Sequence, residues 1–126
     1  MTKTARLFLA AGGVMAVLAV ALGAFGAHAL KGRLSPEMLA VWHTASEYHF
    51  YHALGLIAVG LAAAKLPDSR LLQWSGWTML AGIALFSGSL YALALTGVTG
   101  VGAITPAGGV AFLVAWTLFV AAVLRQ

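Results

Sequence analysis

The chain has 126 residues, of which 62% are hydrophobic and 8% charged, with no cysteine and a formal net charge of +4. Soluble domains carry about 25% charged residues, so this composition excludes a water-soluble globular fold. It also excludes disulfides and thiolate metal sites. The seven Lys and Arg residues stand in ones and twos and form no basic face for nucleic acid. We therefore predict one domain over residues 1–126, in contact with the lipid bilayer.

The first element is an uncharged run of about 20 residues, Leu7–Gly26, long enough to cross a hydrocarbon core of about 30 Å. Together with the MTKTAR segment before it and the AHA sequence after it, this run also resembles a cleavable signal peptide. Signal cores are typically about 7–15 residues long, which is shorter than this run. We predict a retained first span at about residues 7–28.

The second apolar run, Ala53–Ala64, is only about 12 residues long. To cross the membrane, its helix must begin near Ala45, which places the span at about 45–64 and draws Glu47 into the membrane or its interface. Upstream, Ser35 is typical of an N-cap and Pro36 of a first helical residue. A helix from Pro36 to the end of the run would be about 43 Å long, so we predict an interfacial helical extension before span two.

Two further uncharged runs, Leu71–Gly97 and Ala107–Leu124, predict spans at about 71–96 and 106–124. Thr105 and Pro106 repeat the cap-then-proline signal before the last span. The glycine-rich segment TGVTGVGAITPAGG (96–109) follows a membrane helix and not a β-strand, so it predicts a tight connection and not a dinucleotide site. The predicted fold class is all-α, a polytopic membrane protein with four transmembrane helices in a compact bundle.

The distribution of positive charge predicts the orientation of this bundle. With four spans, the N-terminus, the second connection and the C-terminus share one side of the membrane. That side has the excess of Lys and Arg, so we predict that both termini are cytoplasmic. The residues on that side are Lys3, Arg6, Lys65, Arg70 and Arg125, and those on the other side are Lys31 and Arg33.

Small residues and aromatic residues predict which surfaces of the spans pack and which meet the lipid headgroups. Helices associate inside a membrane by close approach at small residues, and tryptophan and tyrosine concentrate at the headgroup level. The predicted packing faces are Gly12, Ala16, Ala19, Gly23 and Ala27 in span one, and Ala84, Gly88 and Ala92 in span three. The predicted aromatic belts comprise Trp42, Tyr48, Tyr51, Trp74 and Trp77.

The segment SEYHFYHALGL (46–56) is the main candidate functional region, because it places several polar side chains at the entrance of an apolar span. All four histidines of the chain fall between residues 28 and 52, on one predicted side of the membrane. At about 100° per residue, the second helix carries two polar stripes on roughly opposite faces, so one metal ion cannot bind all three of its histidines. The stripes are His43, Glu47 and Tyr51, and Trp42, His49 and His52.

Three interpretations of these polar residues remain open: bonds between helices at the membrane interface, a ligand or proton site, and a metal or haem site. No catalytic residue, metal ligand or cofactor is assigned, since no nucleophile–base order is visible and three acidic residues leave hydrolysis few groups to use. The candidate ligand-binding residues are His28, Glu47, His52, Tyr91, Ser87 and Tyr48.

Four motifs in order resemble a known family: GAFGAHALK (23–31), W-x-TA-x3-Y-x2-YHALGL (42–56), LFSGSLYALALTG (85–97) and ITPAGG (104–109). They are similar to the small bacterial membrane proteins of domain-of-unknown-function family four hundred and twenty-three, and to the eukaryotic transmembrane protein two-five-six group. The resemblance implies a small integral protein of the bacterial inner membrane, with no assigned activity. One departure is His49, where a residue such as glutamine is expected, and this counts against a His49–His52 metal pair.

The functional hypothesis is an integral inner-membrane protein with a polar pocket near the outer leaflet that binds a small ligand, a lipid headgroup or protons. One alternative is a structural or assembly subunit of a membrane complex, without ligand chemistry. Another is a haem-, quinone- or metal-binding redox protein. A homo-oligomer is also compatible with the small-residue faces.

Overall fold

The computed structural model describes residues 1–126 and is helical throughout, without β-strands. The third long helical segment consists of α3, a short π-helical turn and α4, and a 3₁₀ segment follows it. The bounds are α1 Lys3–His28, α2 Pro36–Lys65, α3 Arg70–Gly82, the π-helical turn Ile83–Ser87, α4 Gly88–Thr96, the 3₁₀ segment Thr99–Ile104 and α5 Thr105–Leu124.

These segments form an antiparallel bundle with α2 at its centre. Helix α2 packs along α1 on one side and against α3 and α4 on the other, while α5 packs against α3 and the π-helical turn. The main core contains apolar side chains from α1, α2, α3, the π-helical turn and α5. A smaller cluster around Trp42, which includes Ala94 of α4, lies at the end of the bundle where α2 begins. The central position of α2 explains how it can carry polar residues and still contain more buried residues than any other helix.

Three helical stretches are long and apolar enough to cross a membrane: Lys3–His28, Arg70–Thr96 and Thr99–Leu124. Helix α2 has 30 residues but is not among them, because His, Glu, Tyr, Ser and Thr occupy much of its first half. The all-α prediction is confirmed, whereas length and composition support three spans instead of the predicted four.

The helix boundaries agree with the sequence at α2 and differ at α5. Ser35 caps α2, its hydroxyl accepting a hydrogen bond from the Met38 amide, with Pro36 in the first turn. The prediction that Thr105 caps the last helix is wrong, because the preceding 3₁₀ segment runs directly into α5 and makes Thr105 its first residue. Gly97 ends α4 at φ +69°, a left-handed conformation that favours glycine.

The packing faces differ in part from those predicted. Gly12 and Ala19 of α1 are buried as expected, but Ala27 is exposed. In the third segment, Ala84 and Gly88 are exposed, because the π-helical turn inserts an extra residue and rotates the helix faces on either side of it. The predicted small-residue face of span three is therefore wrong.

Among the predicted belt residues, Trp42 is the exception. It is 1% exposed, and its indole N–H donates a 2.8 Å hydrogen bond to the backbone oxygen of Leu22 in α1. Gly26 allows this contact, since a Cβ at that position would overlap the indole. Trp42 thus joins α1 to α2 instead of facing lipid headgroups. The other four belt residues are exposed, which is compatible with an aromatic belt.

Candidate functional site

The two polar stripes of α2 lie in different environments. Trp42, His49 and His52 are buried. His43, Glu47 and Tyr51 are exposed. The predicted division of the helix is therefore confirmed, and only one stripe faces the interior of the bundle.

His52 is fixed on both sides of its ring. Its Nδ1 lies 2.7 Å from the backbone oxygen of Tyr48, which can only accept, so Nδ1 carries the proton. The opposite nitrogen, Nε2, accepts a 3.1 Å hydrogen bond from the indole N–H of Trp116 in α5. The ring also stacks on Phe112, with a centroid separation of 3.5 Å and an interplanar angle of 7°. His52 is thus a neutral imidazole whose hydrogen-bonding atoms are both used within the protein.

His49 differs from His52 because only one of its nitrogens has a partner. Its Nδ1 lies 3.0 Å from the hydroxyl of Tyr91 in α4, and that hydroxyl in turn contacts the Ser46 hydroxyl at 3.4 Å. The other nitrogen, Nε2, is buried without a hydrogen-bond partner. A buried polar atom left unpaired costs roughly 1–3 kcal/mol, so this nitrogen requires an explanation.

The π-helical turn positions further polar groups beside His49. The Ser87 hydroxyl donates a 2.8 Å hydrogen bond to the backbone oxygen of Ala45, linking this turn to α2. Nearby, the hydroxyls of Ser89 and Thr105 lie 2.6 Å apart and link α4 to the start of α5. These serines and Thr105 thus each have a hydrogen-bond partner, whereas Nε2 of His49 is the buried side-chain polar atom without one.

A cleft of about 420 Å³, here called the His49 cleft, lies between α1 and the third helical segment. Its polar side chains come from α2, the π-helical turn and α4, and its apolar side chains come from α1, α3 and the π-helical turn. It is lined by Met15, Leu22, His49, Leu80, Ile83, Ala84, Ser87, Gly88 and Tyr91. A second cleft of about 420 Å³ borders His52 and is mostly aromatic, lined by Tyr48, Tyr51, His52, Phe86, Gly109, Phe112, Leu113 and Trp116.

The six candidate residues from the sequence do not converge on one pocket. Tyr91 and Ser87 line the His49 cleft, whereas His52 and Tyr48 line the aromatic cleft. His28, the last residue of α1, and Glu47 are exposed and line neither cleft. The structure therefore places two of the predicted ligand-binding residues at the His49 cleft and two at the aromatic cleft, and leaves the other two exposed outside both clefts.

Two residues of the hydrogen-bond networks around His49 and His52 are not among the six candidate residues predicted from the sequence. Trp116 supplies the hydrogen bond to His52, and Ser46 extends the contact from His49 through Tyr91. A tryptophan within an apolar span needs a partner for its N–H, which is a signal that could have indicated Trp116. No three His, Asp or Glu side chains are close enough together to hold a metal ion.

The apolar helices, with buried histidine, tyrosine and serine side chains between them, define a small helical membrane protein. The chain belongs to the family described as "Protein of unknown function (DUF423)", which matches residues 22–109. The resemblance noted in the four motifs is thereby confirmed.

Curated relatives match the chain over almost its whole length. The UPF0382 membrane protein YwdK of Bacillus subtilis strain 168 is 50% identical over 120 residues, covering 95% of this chain and 98% of that protein. The UPF0382 membrane protein SERP0230 of Staphylococcus epidermidis is 46% identical, covering 95% and 97%. The UPF0382 membrane protein SSP2132 of Staphylococcus saprophyticus is 47% identical, covering 91% and 94%. No solved structure matches the chain.

Proposed function

We propose that the chain is a four-span protein of the bacterial inner membrane, with α2 as its central span. Helix α5 has 20 residues and is about 30 Å long, which equals the thickness of a hydrocarbon core. Ser89 of α4 bonds to Thr105, where α5 begins, and Ser87 bonds to Ala45 of α2. These contacts support an outer boundary near Ala45, which leaves 45–64 of α2 within the membrane and its first two turns outside.

This placement accounts for the polar residues of α2. Helices on several sides surround it, so its buried stripe meets protein and not lipid. At about 1.5 Å per residue, His49 would lie roughly 6 Å below the proposed outer boundary. The excess of Lys and Arg at the opposite end supports cytoplasmic termini.

We propose further that the chain binds a small molecule in the outer half of the bundle, at the His49 cleft. The observation that supports this most directly is the buried, unpartnered Nε2 of His49, a residue that lines an apolar cleft. Ionisable residues inside membrane spans are uncommon. Those that occur usually face the interior of the bundle and often belong to a functional site. His52, by contrast, has no hydrogen-bonding atom left for a ligand.

The test is native mass spectrometry of protein released from its own membranes in mild detergent. Wild-type protein is expected to carry a stoichiometric small molecule that is lost in His49→Phe, since phenylalanine keeps the ring volume and removes both nitrogens. The matched control is His43→Phe, an exposed histidine on the same helix that should leave the bound species unchanged. Equal occupancy in His49→Phe and wild type, or a wild type without any bound small molecule, would contradict the proposal.

A second candidate, an assembly subunit of a membrane complex, is favoured by one observation. His43 and Glu47 form an exposed polar stripe on α2 near the proposed outer boundary. A carboxylate such as that of Glu47, near the proposed membrane boundary, is stabilised when a polar group of a partner protein packs against it. This function predicts co-purification with one defined membrane complex, weakened by Glu47→Leu and unaffected by His49→Phe.

A further inference from the structure

We infer that the ligand of the His49 cleft is a neutral, lipid-soluble molecule with a carbonyl or hydroxyl oxygen at its head and a hydrocarbon tail, entering sideways from the bilayer. The inference rests on the proposed function and names the ligand class for that site. Isoprenoid quinones and diacylglycerols both have this chemistry.

The lining of the cleft selects against a charged head. None of its nine residues is Lys, Arg, Asp or Glu. A phosphate headgroup would bring a charge into this apolar site without a cation to pair with it, at high desolvation cost. A carbonyl or hydroxyl needs only one or two hydrogen-bond partners, and His49 Nε2 is a buried polar atom without a partner among the lining residues.

Depending on which ring nitrogen carries the proton, His49 can form a hydrogen bond with a carbonyl oxygen or with a hydroxyl group of the ligand. If the Tyr91 hydroxyl donates to Nδ1, then Nε2 carries a proton and can donate to a carbonyl or hydroxyl oxygen. If Tyr91 donates to Ser46, as the 3.4 Å contact permits, Nε2 is an acceptor for a ligand hydroxyl. One imidazole can therefore hold an oxidised or a reduced head of the same molecule.

The few polar residues that line the cleft lie towards one end of it along the bundle axis. Tyr91, Ser87 and His49 mark the end nearer the proposed outer boundary, whereas Leu80 and Met15 lie towards the middle of the membrane. Tyr91 lies eleven positions after Leu80, which corresponds to about 16.5 Å along a helix. An amphiphile would thus bind with its head outward and its tail inward, the orientation it already has in the outer leaflet.

The entrance is formed by the residues that failed to pack as predicted. Ala84 and Gly88 line the cleft and are exposed on the bundle surface, so small residues form its lipid-facing wall. The π-helical turn creates this wall by directing Ser87 inward to Ala45 while leaving Ala84 and Gly88 outside. Because Nε2 is buried, the head reaches it only when cleft side chains shift, and the unbranched thioether of Met15 is suited to such movement.

The entrance can be blocked with a well-matched control. A Cβ at Gly88 meets nothing within 4 Å, and the same holds for Gly13 of α1, which does not line the cleft. Leucine at either position therefore fits without a clash at its Cβ. At position 88 the side chain leans towards the N-terminal end of its helix, over Ala84, and covers the entrance.

The experiment uses the full-length protein in nanodiscs of phosphatidylcholine and measures the binding of three probes. These are a short-tailed ubiquinone, a short-chain diacylglycerol and a short-chain phosphatidylglycerol. One or both neutral probes are expected to bind, and the phosphatidylglycerol is not. Gly88→Leu should weaken this binding at least tenfold, Gly13→Leu should leave it unchanged, and His49→Phe should weaken it roughly three- to tenfold. A preference for ubiquinone or for diacylglycerol identifies which source supplies the head.

Several results would overturn the inference. Equal affinities of Gly88→Leu and Gly13→Leu for the probes would show that the ligand does not enter beside Gly88. Preferential binding of phosphatidylglycerol would show that the ligand does not have a neutral head. If no neutral probe binds but native mass spectrometry still finds a species lost in His49→Phe, the ligand class is wrong and the proposed function stands. If no species is bound and the only partner of His49 Nε2 is an ordered water, both are wrong.

Discussion

Substitution of Gly26 by alanine tests the contact that joins the outer ends of α1 and α2. A Cβ at position 26 would overlap the indole of Trp42, which is buried and donates a 2.8 Å hydrogen bond to the Leu22 oxygen. Either the indole or the helix must move. Gly26→Ala should therefore destabilise the bundle, although alanine is the better helix former.

The magnitude follows from three terms. Overpacking a well-filled site costs about 1–3 kcal/mol, and losing the indole hydrogen bond costs about 1 kcal/mol. The gain in helix propensity from glycine to alanine is about 1 kcal/mol. Gly23→Ala provides the control, because a Cβ there lies 3.9 Å from the Cβ of Ser46, an ordinary contact. The propensity gain is common to both variants, so Gly26→Ala should be less stable than Gly23→Ala by about 2–4 kcal/mol.

The assay is reversible unfolding in mixed micelles, followed by circular dichroism, with all proteins at one detergent composition. A free-energy difference below about 0.5 kcal/mol between the two variants would refute the packing of Trp42 over Gly26. A double variant, Gly26→Ala with Trp42→Ala, should show a large coupling energy between the two sites, because alanine lacks the Trp42 atoms that a Cβ at position 26 would meet.

Further predictions concern the interior and the topology. His52→Ala should destabilise the bundle by about 2–4 kcal/mol in the same unfolding assay, because it removes the Trp116 hydrogen bond and the stacked ring. His43→Ala, an exposed control, should change stability by less than about 0.5 kcal/mol, and equal effects would contradict the assignment. Ser75→Ala should cost about 1 kcal/mol, since its buried hydroxyl bonds to the Ala115 oxygen at 2.7 Å, and an unchanged unfolding midpoint would argue against this link between α3 and α5. A reporter active only in the cytoplasm should function when fused to the C-terminus, and an inactive but expressed fusion would reverse the proposed orientation.

Local signals in the sequence predicted much of the fold. Ser35 and Pro36 fix the start of α2 through contacts within one helical turn, and the division of its polar residues into two stripes follows from helical geometry alone. Long uncharged runs indicated the other membrane helices. Composition does not support α2 as a span, because polar residues occupy much of its first half.

The residues that sequence analysis misplaced are those whose environment depends on distant parts of the chain. Trp42 is typical of a headgroup belt by itself, but Gly26 opens a place for it in the interior. The π-helical turn has no local signature in an apolar run, and Gly88, which follows it directly, is exposed on the bundle surface. His52 and Trp116 are 64 residues apart, so the sequence does not show that one completes the hydrogen bonding of the other.

The central claim is that His49, and not His52, contacts a ligand in the outer half of the bundle. Nitrogen NMR of the imidazole side chains, in protein labelled at histidine, tests it most directly. On removal of bound small molecules by extensive detergent exchange, the Nε2 resonance of His49 should move. The His52 resonances should keep the pattern of a neutral ring protonated at Nδ1 throughout. Movement of the His52 resonances with those of His49 unchanged, or no movement of either, would contradict the claim.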